Sequence, residues 1–324
     1  AGPIGEPVPL SVFDKRLPPS GHEAIRELIE QVARQTAAGD QAAAARTQAV
    51  VATAFHEAGQ RPEALEAAEQ AVRALDRAGL PEDAAACRYL LAQLYREDGQ
   101  ARPARAALQE LVDLGVAPPG IPGVPTAPEL YRELAQTYGY SQEAGLHHLT
   151  AARAFGAEGQ SHAQLESLRH AVGVLTAFDT PAALDALAEA DAVIGALAAT
   201  EVDPGLASAI ADLQTAAAEL LREEDRLEEA RDRLLAARPV LELSGSTEDM
   251  GELLTLLSNL QRELGDLPAA EAAARAALAL LDDPEEEAWD EAIALIRVLQ
   301  ALHCDAEAAE AMDLYGIDED DLLE

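Results

Sequence analysis

Apolar positions along this chain recur at three- and four-residue intervals and seldom alternate, which is the period of helices with one buried face. The pattern starts at Ser20, which reads as an N-cap with Glu23 as its capping-box partner three residues on. From there it predicts fifteen helical segments between about residues 22 and 315, separated by Gly, Pro or Asp. The connections are short enough to force antiparallel neighbours. Residues 1–19 carry five prolines and little periodicity, and read as an extended arm.

Comparison of the chain with itself exposes a repeating ladder: a bulky residue, a turn residue four later, a small residue five after that, and another seven further on. Phe55-Gly59-Ala64-Ala71 fits it, as does Tyr95-Gly99-Ala104 with Leu111 in the last place. Phe155-Gly159-Ala171 fits with Gln164 as the exception, and Leu221-Asp225-Ala230-Ala237 and Gln261-Gly265-Ala270-Ala277 follow. A small residue precedes each bulky one by three: Ala52, Ala92, Ala152, Ala218 and Ser258. The turn residue ends one helix where β-carbons are disfavoured, and the small residues let the two axes of a hairpin approach closely.

This ladder resembles the signature of the tetratricopeptide-repeat (TPR) family, over 41–78, 82–114, 142–177, 204–241 and 247–281. A degraded sixth copy spans 285–315, with Cys304 and Ala309 in the Gly and first Ala places. The resemblance implies an all-α, right-handed solenoid of helical hairpins. The repeat is longer than the family's ~34 residues, since Gly59 to Gly99 and Asp225 to Gly265 are each 40. Larger intervals on either side of Gly159 predict two extra helices, 128–138 and 181–199. The expected organisation is an arm (1–19), N-terminal repeats (20–115), a Pro/Gly-rich hinge (116–127), C-terminal repeats (128–315) and an acidic, solvated tail (316–324).

Composition agrees with helices, because the 49% hydrophobic content is mostly Ala and Leu and only 3% of residues are aromatic. Charge adds more. Fifty-nine acidic residues against 23 basic ones give −36, with Lys15 the one lysine. Such a surface repels nucleic acid and anionic membrane and attracts basic partners. Cys87 and Cys304 stand far apart without zinc or disulfide spacing, which points to a reducing, cytoplasmic setting. No apolar run reaches the ~18–20 residues of a membrane span. The start, Ala1-Gly2-Pro3, lacks Met and suggests processing or a piece of a longer protein.

No phosphate loop or HExxH motif is present, and Ser and Cys lack neighbouring nucleophile signatures. The sequence therefore predicts no enzyme, no cofactor and no metal. His162, Glu166 and His170, with His147 and His148 one helix earlier, read as a polar outer face. Asp318-Glu319-Asp320-Asp321 lacks the ligand spacing of a calcium loop.

A basic register closes several first helices: Arg96, Arg222 and Arg262, with His56 alongside. It reads either as a complement to helix C-termini or as a ladder for an acidic peptide. Family members that bind peptides line a concave groove with their first helices. By that resemblance Arg46, Thr53, Tyr89, Gln93, Arg153, Thr215, Glu219, Thr255 and Asn259 join the groove candidates. The family's Lys/Asn clamp for a terminal carboxylate is absent. The function expected is a protein-interaction scaffold or regulatory module with a protein or peptide partner. The alternatives are a ligand- or peptide-sensing domain of a larger bacterial regulator and an acidic DNA mimic that inhibits a basic protein.

Overall fold

The computed structural model describes residues 19–115, 121, 123–197, 203–281 and 289–323. Residues 1–18 of the expected arm, and 116–120 with Pro122 of the expected hinge, lie outside them. Among the described residues there are fifteen α-helices and no strand, so the fold is all-α. No described helix is long and apolar enough to cross a membrane.

The chain divides into two units, 1–154 and 155–324, with the division inside one helix. The first unit holds α1 (Pro19–Ala37), α2 (Gln41–Glu57), α3 (Arg61–Ala78), α4 (Pro81–Glu97), α5 (Ala101–Asp113), α6 (Ala127–Gln136) and most of α7 (Gln142–Ala157). The second holds α8 (Ser161–Phe178), α9 (Thr180–Ala196), α10 (Pro204–Glu223), α11 (Leu227–Ser244), α12 (Thr247–Glu263) and α13 (Leu267–Leu278). It closes with α14 (Trp289–Ala301), α15 (Asp305–Tyr315) and a 3-10 turn at Asp321–Leu323. Within each unit most sequential helices pack against one another, among them α2 with α3, α4 with α5, α10 with α11 and α12 with α13, and α6 and α9 stand where the two extra helices are expected.

Local chemistry sets the helix limits. Proline opens α3, α4, α6, α9, α10 and α13 in the first two positions, where its missing N–H costs nothing. Asp40, Asp179, Asp203, Ser246 and Asp266 cap backbone amides with their side chains. The exits share one motif. The turn residue takes positive φ, and the next amide bonds back to the bulky residue, as in Gln60 N–H to Phe55 O at 2.9 Å and Gln100 N–H to Tyr95 O at 2.8 Å. Gly39 and Gly79 do the same, so single helices, as well as hairpins, end this way in the first unit.

Alanine forms much of the seam between helices. Ala52, Ala64, Ala67, Ala68 and Ala71 have no exposed surface and surround Phe55 and Leu75. Leu234, Leu253, Leu257 and Leu260 fill the corresponding place in the second unit, against Ala218 and Ala230. The exception in the ladder, Gln164, has a physical counterpart. A β-carbon on Gly156 would lie 2.6 Å from Gln164 Nε2, so the glycine makes room for the larger side chain.

Two expectations need correction. The sixth copy is shifted by one: His303 (φ 59), not Cys304, holds the turn, and the buried small residue five later is Ala308, not Ala309. Cys304 N–H then bonds to Leu299 O at 2.9 Å, placing Leu299 in the bulky position. The acidic tail is also not simply solvated. Ile317 is 4% exposed, Leu322 packs with Ile296 and Ala311, and Arg297 donates to the Leu322 carbonyl at 3.2 Å. Apolar residues on both sides of the acidic run dock, while Asp318 to Asp321 bond among themselves.

Candidate partner-binding faces

The first helices of successive hairpins (α2 and α4, then α10, α12 and α14) bury the faces that carry Ala52, Ala92, Ala218, Ser258 and Ile296. Their opposite faces border two recesses, one in each unit.

In the first unit a recess of about 450 Å³ lies between α2 and α4 and brings together Arg46, Thr53, Tyr89 and Gln93. Val50, half exposed, and Leu90 give it an apolar strip. Its polar groups are largely engaged within the chain. Arg46 pairs with Asp83 at 2.8 Å, and Thr53 bonds its own helix at Ala49 O. Tyr89 donates to Glu133 at 2.7 Å, and burial followed by that carboxylate pushes its phenol up to about 12. Cys87 sits at the base, donating to Ala68 O, and burial raises its thiol to about 12, so it is no nucleophile.

In the second unit a recess of about 460 Å³ is lined by α10, α12 and α14, and holds Thr215, Glu219, Thr255 and Asn259. Glu252, Asp290, Glu291, Ile293 and Arg297 complete it. Burial first, then Glu223, holds the Glu219 carboxyl above its ordinary value. Glu252 is raised by burial and then by Asp249, Glu248, Asp212 and Glu219. The sequence register could have supplied α14's contribution. Thr215, Thr255 and Ile293 each lie ten residues before the turn residue, and Glu219, Asn259 and Arg297 each lie six before it, once His303 is taken as the turn. Anchoring the sixth copy on Cys304 hides that correspondence.

The basic register lies outside both recesses and is largely spent on neighbouring helices. His56 Nδ1 stands 3.7 Å from Glu97, Arg96 pairs with Glu133 at 3.0 Å and Gln136 at 3.0 Å, and Arg222 grips Glu263 at 2.5 Å. Arg262 differs, because the acceptor place on α14 is Ala301. Arg262 has no ion-pair partner among the described residues, and its Nε is shielded and unpaired. Arg153 is exposed on α7. Of the other polar residues singled out, Glu166 pairs with Arg169 at 3.0 Å and His162 Nε2 lies 3.7 Å from Asp203. Among the described residues no group of three or more His, Cys, Asp and Glu can hold a metal ion.

Arginine also fastens helices elsewhere. Arg88, with its side chain 14% exposed, joins Asp76 on α3 at 2.6 Å and Glu110 on α5 at 2.9 Å. Arg233 holds both oxygens of Asp191, tying α11 to α9.

By its own geometry each unit is an all-α set of helical hairpins, whose recurring turn and seam residues resemble those of TPR repeats. No family model and no curated protein matches it. Among solved structures it is similar to BtubC (BKLC) from P. vanneervenii, at 14% identity over 78% of this chain and 88% of that one, with a TM-score of 0.35. The assembly chaperone of RpL4 (Acl4) is 20% identical over 83% and 88%, with a TM-score of 0.31. The TPR domain of P58(IPK) is 12% identical over 91% and 93%, with a TM-score of 0.32.

Proposed function

We propose that the protein is an interaction module that holds another protein or a peptide along the exposed faces of its first helices. The observation that carries this reading is convergence. Eight residues picked from scattered repeats, Arg46, Thr53, Tyr89, Gln93, Thr215, Glu219, Thr255 and Asn259, fall into two recesses. Each recess mixes apolar contact with polar groups, the composition suited to an extended chain. The role is binding, not catalysis: the Cys87 thiol is held protonated, and neither recess presents a nucleophile paired with a base.

Filling the recesses tests it. Thr53→Trp and Thr255→Trp are compared with Arg102→Trp, at an exposed position of α5, by quantitative affinity capture from the native cell. A partner should be lost from the first two variants and retained by the third, with all three melting close to the parent protein. Retention by all three overturns the reading.

A further inference from the structure

We infer that the recess between α10, α12 and α14 takes a cationic segment of its partner, with Lys or Arg side chains carried on extended backbone. The inference rests on the reading that the first-helix faces bind; it adds the chemistry of what they bind, opposite in sign to the acidic peptide that the basic register offered as one of its two readings.

The first ground is how charge is distributed. Elsewhere in this unit arginine meets carboxylate: Arg169 with Glu166 and Asp212, Arg222 with Glu263, Arg233 with Asp191, Arg275 with Glu271 and Glu307. Around the recess, Glu219, Glu252, Asp290 and Glu291 have no hydrogen bond or ion pair among the described residues. The arginine in the wall, Arg297, donates to a carbonyl, and Arg222 beside Glu219 is committed to Glu263. Like charges gathered around one recess without a cation partner raise the energy of the empty site, and a cation relieves it. An acidic ligand would instead add to the repulsion.

The second ground is independent of charge. Thr255, on the middle helix of the three, has a hydroxyl oxygen shielded from solvent and without a partner. A shielded oxygen left unpaired costs free energy that a ligand donor or acceptor recovers. One turn along, the Asn259 amide also lines the recess, so the two can meet the N–H and C=O groups of an extended chain. Leu256 and Ile293 offer apolar contact for the methylene stem of a Lys or Arg side chain. The carboxylates do not gather tightly enough to hold a metal ion among the described residues. Cations spaced along a polymer match them better than a single ion. Arg262, unpaired beyond Asn259, sets a positive boundary at the C-terminal end of α12.

The test uses the full chain and three labelled octapeptides, acetyl-(Lys-Ala)4-amide and its Glu and Gln counterparts, followed by fluorescence anisotropy at about 150 mM salt, where charges act over ~8 Å. The lysine peptide should bind with one-to-one stoichiometry and be blocked by Thr255→Trp. Glu219→Gln/Glu252→Gln/Asp290→Asn should weaken it roughly tenfold or more. Glu57→Gln/Glu82→Gln/Asp185→Asn changes net charge equally at exposed sites, and should weaken it by less than about twofold. Should the recess triple variant melt early, Glu252→Gln alone repeats the comparison. Equal losses in the two triple variants, or lysine-peptide binding that Thr255→Trp leaves intact, overturn the inference. If the glutamate or glutamine peptide binds as well or better and Thr255→Trp blocks it, the cationic class falls while the binding face stands. If no peptide binds in the recess, this inference and the role proposed for this face fall together.

Discussion

Asp225 and His303 sit at φ 61 and φ 59, where a β-carbon crowds the backbone and the equivalent turns use glycine. Both still close the turn: Arg226 N–H reaches Leu221 O at 2.8 Å, and Cys304 N–H reaches Leu299 O at 2.9 Å. The motif is therefore formed in spite of conformational strain, and removing the side chain should relieve it. Asp225→Gly and His303→Gly are each expected to raise stability by about 0.5–1 kcal/mol, the left-handed penalty less the added freedom of glycine in the unfolded chain. Urea unfolding of each single variant measures this. A fall in midpoint at either position would mean that the side chain makes a contact worth more than the strain. Gly156 illustrates the opposite case, a glycine kept for space, since its neighbour Gln164 fills the volume that a β-carbon would need.

At the scale of helices, the recurring Arg-Glu pair at the ends of first helices works as a forward link. The first residue of one pair reaches the second residue of the next, as Arg222 does to Glu263 and His56 to Glu97. The sequence offered helix-end complement and peptide groove as readings, and the link between neighbours is a third. On α14 the acceptor place is Ala301, so Ala301→Glu should give Arg262 a partner. A double-mutant cycle with Arg262→Ala should then return a coupling of about 0.3–1 kcal/mol, the range of an exposed ion pair. A coupling indistinguishable from zero would break the rule. The hairpins were legible because glycine turns and small seam residues leave a fixed spacing, and the same spacing located Thr215, Glu219, Thr255 and Asn259. What stayed hidden had weaker physical signals. His303 does not look like a turn residue, so Asp290, Ile293 and Arg297 went unplaced. Ile317 and Leu322 are too few to mark a docked tail inside an acidic run. Pairing of Arg96 with Glu133 depends on which helices come together across 37 residues, a fact that local periodicity does not carry.

Across the whole molecule, cations are scarce: 23 basic residues face 59 acidic ones. Many arginines serve as inter-helix fasteners, and carboxylates left over around one recess must bear their own repulsion. Glu219 and Glu252 are in that position, both above the ordinary value of 4.5 through burial and acidic neighbours. Asp212, although paired with Arg169, is also raised by burial. A raised carboxyl makes the folded state bind more protons than the unfolded chain between the ordinary and the raised value. These groups therefore favour the folded state as pH falls toward 4.5, and that contribution is lost as pH rises through the raised folded values. This is the reverse of a salt-bridged acid. The midpoint of urea unfolding for the parent protein, relative to Glu219→Gln/Glu252→Gln, should accordingly improve from pH 7 to pH 5. The same protonation removes the attraction for a cation, so lysine-peptide affinity should weaken over that interval while stability, relative to the double variant, rises. If the parent and the double variant keep a constant difference in midpoint over the whole interval, the two carboxylates are not strained, and the electrostatic ground for a cationic partner is lost with them.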